Sequence, residues 1–185
     1  MDAISAQQQV IIFTGLPGTG KSTLAERVAR MVGAPAFAGD WLMGALKPAH
    51  AALARLDRSE YLAASLGLLR TLVTRQLMLG QSAVVDDLVT ESQVVLWRET
   101  AAHFAARLFL IECICSDEVI HRARVEGRTR GIPGWHEIGR DHVERMRAEV
   151  PPLTVDRLTV DAIEPVEDNI RRVLDYIAPS GSADG

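Results

Sequence analysis

The chain has 185 residues, 48% of them apolar, and a formal net charge of −4. That size and apolar share predict a single soluble domain with a buried core, and the acidic balance without any basic run argues against a protein that grips duplex nucleic acid by its phosphates. Residues 1–9 lack a basic segment leading into an apolar one, no window reaches the roughly 18 to 20 apolar residues of a membrane span, and Cys113 and Cys115 are too close along one strand to bridge easily, so a cytoplasmic location is expected.

Residues 10–14 form a continuous apolar, β-branched run that predicts a strand buried on both faces of a parallel sheet. The segment Gly15-Leu16-Pro17-Gly18-Thr19-Gly20-Lys21-Ser22 follows, and from residue 22 to about 32 the apolar residues Leu24, Ala25, Val28 and Ala29 recur at helical spacing. Strand, G-x-x-x-x-G-K-[ST] and helix together form a P-loop. Its glycines let backbone N–H groups turn toward phosphates, the helix adds its positive end, the lysine reaches the β- and γ-phosphates, and the serine hydroxyl ligates Mg²⁺. The expected ligand is ATP with Mg²⁺, held by Gly15, Pro17, Gly18, Thr19, Gly20, Lys21, Ser22 and Thr23. Only Lys21 and Lys47 are lysines among the 20 basic residues, so a lysine at this position stands out.

A second short run, 35–39, ends at Asp40, on the rim of the sheet where ligands of open α/β folds collect. A carboxylate there can accept the proton of an attacking hydroxyl, or it can cap the helix beginning near Trp41. The apolar stretch 41–46 would line the acceptor side and favours a small molecule with an apolar face. Lys47, His50, Arg55 and Arg58 could instead receive a phosphate-bearing acceptor. A long helix is predicted over 59–79 and a third strand over 82–86, ending in Asp86-Asp87. A strand closing on acid resembles a Walker B element, with Asp86 the expected magnesium ligand and Asp87 the alternative.

Further helices are predicted at 91–105, 116–125, 137–150 and 165–177, with strands at 107–114 and 157–160. Alternation of strands and helices means an α/β fold with a parallel sheet covered on both faces. Cys113 and Cys115 alternate to one side of the fourth strand and read as core, His136 reads as structural, and the small, polar tail 179–185 reads as disordered. The segment 116–135 is dense in arginine and ends in the breakers Gly131-Ile132-Pro133-Gly134. Arg124 and Arg128 would share a helix face if the helix continued through Gly127, and such a flap could neutralise a moving phosphoryl group while excluding water.

With these residues, the chain resembles the small P-loop kinases grouped with chloramphenicol phosphotransferase, zeta toxins and the kinase domain of polynucleotide kinase. The resemblance runs over about residues 10–177 and rests on the P-loop through Thr23, on Gly39-Asp40, on Val84-Val85-Asp86-Asp87 and on the arginine-rich lid. It implies a three-layer P-loop NTPase fold with five parallel strands in the order 2-3-1-4-5, and an adenine site beside the lid and residues 161–165. It also implies that Asp40 is the general base and that Arg124 and Arg128 clamp the phosphates, with Arg122 and Arg130 as alternates. No Asn-Lys-x-Asp guanine motif is present, which argues against a switch-type GTPase. The expected activity is an ATP-dependent kinase acting on a small-molecule hydroxyl. The alternatives are a 5′-hydroxyl polynucleotide or nucleotide-sugar kinase and a non-catalytic ATP-binding module.

Overall fold

The computed structural model describes residues 7–178. The predicted disordered tail, 179–185, lies outside the described residues. Five parallel strands, β1 (Gln9–Thr14), β2 (Ala36–Ala38), β3 (Ala83–Asp86), β4 (Arg107–Ile114) and β5 (Leu158–Asp161), form one sheet in the order β2-β3-β1-β4-β5. Each crossover carries at least one helix, as parallel neighbours require. The crossover helices are α1 (Lys21–Val32), α2 (Gly39–Ala45), α3 (His50–Leu53), α4 (Arg58–Met78), α5 (Glu91–His103), α6 (Glu118–Gly127) and α7 (Arg140–Glu149), and α8 (Val166–Ile177) follows the last strand.

The period-2 alternation of β1 divides the core into two layers. Val10 and Ile12 pack with Leu69, Val73, Val94 and Trp97 from α4 and α5. Ile11 and Phe13 pack with Leu24, Val28, Ile170 and Val173 from α1 and α8. Because both faces are covered, the strands read as unbroken apolar runs rather than as alternating ones.

Register brings the chemistry to one rim. Phe13 of β1 and Ala38 of β2 both pair with Asp86 of β3, so the loops that follow these three strands leave the sheet at the same level. The P-loop, Asp40 and the acidic pair therefore converge although they are separated by dozens of residues in sequence.

Several boundaries differ from the sequence reading. The second strand stops at Ala38, and α2 starts at Gly39, which puts Asp40 inside the first turn. Ala38 is the N-cap and no side chain caps this helix, so the capping role considered for Asp40 is not found. The helix α6 ends at Gly127, and Arg128 continues in an extended conformation, φ −89° and ψ 138°, so Arg124 and Arg128 do not share a helix face. The helix α5 ends at His103, two residues early, where Ala105 takes φ 51° to reverse the chain into β4. Cys113 is a core residue as expected, but Cys115 lies beyond the end of β4, half-buried, with its thiol donating to the Asp117 carbonyl at 3.5 Å.

The two helices that close the cleft described below start on reciprocal caps. Asp57 accepts from the Glu60 N–H at 2.9 Å while Glu60 accepts from the Asp57 N–H, and Thr90 and Gln93 repeat the arrangement at α5. Each is worth about 1 kcal/mol and fixes where the first turn of its helix points. No helix among the described residues is long and apolar enough to cross a membrane.

Candidate active site

The P-loop is held against the sheet so closely that its first residue has no room for a side chain. A Cβ on Gly15 would lie 2.2 Å from the Cys113 carbonyl oxygen of the adjacent strand, and its φ of 136° is unfavourable for any other residue. The loop then turns through Gly18 and Gly20, also at positive φ, into α1. The Gly20 carbonyl accepts the Leu24 N–H at 3.2 Å, the first bond of the helix. The N–H groups ahead of it, from Lys21 to Thr23, have no intrahelical acceptor and form the positive end of the α1 dipole.

Lys21 and Asp86 form a buried ion pair, with side chains only 13% and 5% exposed. Burial opposes charge on the ammonium, but Asp86, and behind it Asp87 and Asp40, hold its pKa above the ordinary lysine value. Burial likewise pushes the Asp86 carboxyl up, yet the Lys21 charge and hydrogen bonds from Lys21 and Ser22 outweigh it, and the carboxyl stays below its usual range. Asp86 and the Ser22 hydroxyl are thus near neighbours, an all-oxygen donor set of the kind Mg²⁺ prefers.

Asp87 lies just beyond the end of β3. Its Oδ1 accepts the Leu88 N–H at 3.0 Å and lies against the Gly39 Cα, where a Cβ would come within 2.9 Å. Withdrawal from water pushes its pKa up to about 7, with Asp86 and Asp40 adding to the rise and Lys21 opposing it. This gives a pH prediction. Between about 4, the unfolded value, and 7, the folded chain keeps a proton that the unfolded chain has released, so stability falls as pH rises through that window. The Asp87→Asn variant lacks this loss. Its melting temperature relative to wild type should rise from pH 4.5 to pH 8 in calorimetric scans, and a constant difference would mean that Asp87 titrates normally.

Asp40 pairs with Arg130, the side chains 26% and 17% exposed. The sequence reading ranked Arg124 and Arg128 above Arg130, and the geometry redistributes the three. Arg130 reaches Asp40 because the arginine loop is fastened to α2 at a point of backbone contact. A Cβ on Gly134 would lie 2.2 Å from the Gly44 carbonyl oxygen, and one on Gly44 would lie 2.6 Å from that of Pro133. Arg128 lines the same cleft with its Nε buried and unpartnered, and burial together with the Arg130 charge lowers its pKa. An unpaired donor beside a like charge is what an anion would satisfy. Arg124 stays on α6 and donates to the Ala162 carbonyl at 3.0 Å, beside the 161–165 loop where the adenine site was expected. The other alternate, Arg122, is not among the lining residues of this cleft.

The helix α6 is itself tied to the P-loop. The Nη2 of Arg147 donates to His121 Nδ1 at 3.0 Å, which leaves His121 Nε2–H to donate to the Pro17 carbonyl at 2.8 Å. Val125 packs where a Gly18 side chain would sit, 2.7 Å from its ideal Cβ.

All of this opens into one cleft of about 920 Å³, lined by the P-loop from Gly15 to Thr23 and by Asp40, Asp87, Arg124, Arg128 and Arg130. Its far wall, apart from Arg58, was missed in the sequence. It consists of Arg58, Tyr61, Leu62 and Ser65 on α4, Gln93 on α5, and His142, Arg145, Met146 and Glu149 on α7. The i, i+3, i+4, i+7 spacing on α4 was a usable signal, since it marks one helix face. Of the stretch 41–46, Met43 lines the cleft, while Leu42 packs into the core and Trp41 is half-exposed. Of the basic set Lys47, His50, Arg55 and Arg58, only Arg58 lines it. His136, expected to be structural, is also in the lining.

A family model described as an AAA domain matches residues 10–153. The chain belongs to that family. No curated protein sequence matches this AAA-domain protein. Solved structures do. A sugar kinase from Janibacter sp. HTCC2649 is 18% identical with a TM-score of 0.67, covering 93% of this chain and 95% of its own. A gluconokinase from Sinorhizobium meliloti 1021 is 20% identical with a TM-score of 0.65, covering 90% of each chain. Kti12 from Chaetomium thermophilum, in complex with ADP-AlF3, is 16% identical with a TM-score of 0.66, covering 92% of this chain and 100% of its own. At these identities the likeness establishes the fold, a P-loop NTPase sheet of order 2-3-1-4-5, and the AAA-domain chain has it over nearly its whole length.

Proposed function

We propose that the protein is an ATP-dependent kinase that transfers the γ-phosphoryl group to a hydroxyl of a small-molecule acceptor. The observation that carries the reading is the continuity of one cleft from the P-loop to a carboxylate, Asp40, that is held by an arginine of the same cleft. Lys21 and the loop amides hold the phosphates. Asp40 accepts the proton of the acceptor hydroxyl as the new O–P bond forms and the bond to the β-phosphate oxygen breaks, releasing ADP. Arg128 and Arg130 stabilise charge on the group in transit, and Arg124 anchors the nucleotide end of the cleft. Ser22 and Asp86 would hold Mg²⁺, which when bound neutralises phosphate charge.

The kinases among the similar structures support this reading. A small acceptor is favoured over a polynucleotide end because the similar structures include a sugar kinase and a gluconokinase. The Kti12 likeness keeps a nucleotide-binding module as the competing reading. ADP release measured with and without a panel of polyols, sugars, sugar acids, nucleosides and 5′-hydroxyl oligonucleotides separates the two. A kinase shows turnover that depends strongly on one acceptor class, whereas a module shows the same slow hydrolysis throughout.

The metal assignment has its own test. The Asp86→Asn variant should raise the Mg²⁺ concentration for half-maximal turnover by ~10-fold, the lower end of what loss of a ligand or its support costs. If Asp87→Asn has that effect and Asp86→Asn does not, the two carboxylates exchange roles.

A further inference from the structure

Resting on the kinase reading, we propose that the acceptor carries an anionic group, a carboxylate or a phosphate, at the end remote from the hydroxyl that is phosphorylated. Two sets of charged side chains act on one another along the cleft. At the P-loop end Lys21, Asp40, Asp87, Arg128 and Arg130, with Asp86 behind them, form the first, and Tyr61 feels Asp40 and Asp87. His142, Arg145, His136, Arg58 and Glu149 form a second group, each of the other four acting on the protonation of His142.

The second group has a surplus of positive charge. Arg58 is compensated by Glu149, but Arg145 has no carboxylate within salt-bridge distance among the described residues. His136 and His142 stand with ring centroids 6.0 Å apart. His142 is driven toward its neutral form by burial first and then by Arg145 and His136. Arg145 is thus one guanidinium in excess of the acid in this part of the cleft, with two imidazoles beside it. Guanidinium beside imidazole is a recognition set for carboxylate or phosphate.

Leu62 and Met146 lie along the same walls as the two charge groups and suit a short carbon skeleton between them. Trp135, which also lines the cleft, has a buried indole N–H without a partner in the protein. The acceptor so defined has a hydroxyl for Asp40, an aliphatic or polyol middle and a terminal anion for Arg145.

The experiment uses the intact protein and matched sets of three to six carbons, each comprising a polyol, its aldonic acid and its terminal phosphate monoester. Each compound is measured by ADP release and by calorimetry in the presence of a non-hydrolysable ATP analogue. At least one anionic member should exceed its neutral counterpart by ~10- to 100-fold in kcat/KM, the range for gaining a hydrogen bond to a charged group. Whether the acid or the phosphate ester wins distinguishes the two sources of the anion. The Arg145→Gln variant should raise KM for that compound by a similar factor with little change in kcat and an unchanged melting temperature, and Arg145→Lys should recover part of the loss. A neutral polyol used as well as its acid and its ester, or an Arg145→Gln variant with unaltered KM, overturns the proposal while leaving the kinase intact. If no compound is phosphorylated, the calorimetry decides. Anion binding that disappears in Arg145→Gln upholds the anionic pocket although the kinase reading fails, and no binding of any anionic member overturns it.

Discussion

Asp40→Asn is expected to lower acceptor phosphorylation by at least ~10²-fold while ATP affinity and melting temperature stay close to wild type, since loss of a positioned base costs ~10² to 10⁴ in rate. Asparagine keeps the size of the side chain and can still accept a hydrogen bond from Arg130, but it cannot take a proton. Stability should hardly move, because the Asp40–Arg130 pair is partly exposed and the residue caps nothing. ATP lies on the other side of the transferred group, so its binding should be insensitive to the change. The decisive measurement is single-turnover transfer with both proteins saturated in Mg-ATP. Equal rates would make Asp40 a tether for the arginine loop and no more.

Lys21→Ala combines two losses that can be measured separately. Turnover should fall by at least ~10²-fold, the scale of removing one charge-stabilising group. Stability should fall as well, because Asp86 is left buried and unpaired, and breaking a buried ion pair from one side costs about 3 to 5 kcal/mol. The double variant Lys21→Met/Asp86→Asn removes both charges. It should regain most of the stability and none of the activity, which a denaturant titration beside an ADP-release assay would show. A single variant that is fully stable would mean that Asp86 finds another cation, and one that is fully active would remove the P-loop from the chemistry.

What could be read from the sequence was local. The strand 10–14, the P-loop and the helix after it are specified within two dozen residues, and β4 was placed at its observed bounds. That Asp40 and Asp86 share a rim was legible because Asp86 closes β3 and Asp40 comes two residues after the end of β2, and strand ends share a rim in a parallel sheet. The arginine assignment was not legible. Arg130 meets Asp40 through the contact of Gly44 with Pro133 and Gly134, a tertiary fit between segments about ninety residues apart that no spacing rule encodes. The far wall escaped for a related reason. Tyr61, His142 and Arg145 lie on helix faces whose polar residues have the pattern of a solvated surface, and only the packing of α4 opposite α7 turns those faces toward a ligand.

The clamp between α6 and the P-loop determines which parts of this cleft can move relative to one another. With His121 bonded to Pro17 and Val125 seated on Gly18, the first half of the arginine segment belongs to the same rigid wall as the phosphate cradle. The second half is zipped to α2 through Gly134 and Gly44, and so to the acceptor side. The joint between them is the extended stretch that begins at Arg128. Both halves of the arginine segment are therefore moored to one rim of the sheet, Arg124 by way of the P-loop and Arg130 by way of Asp40 and α2, with Arg128 spanning the gap between the two moorings.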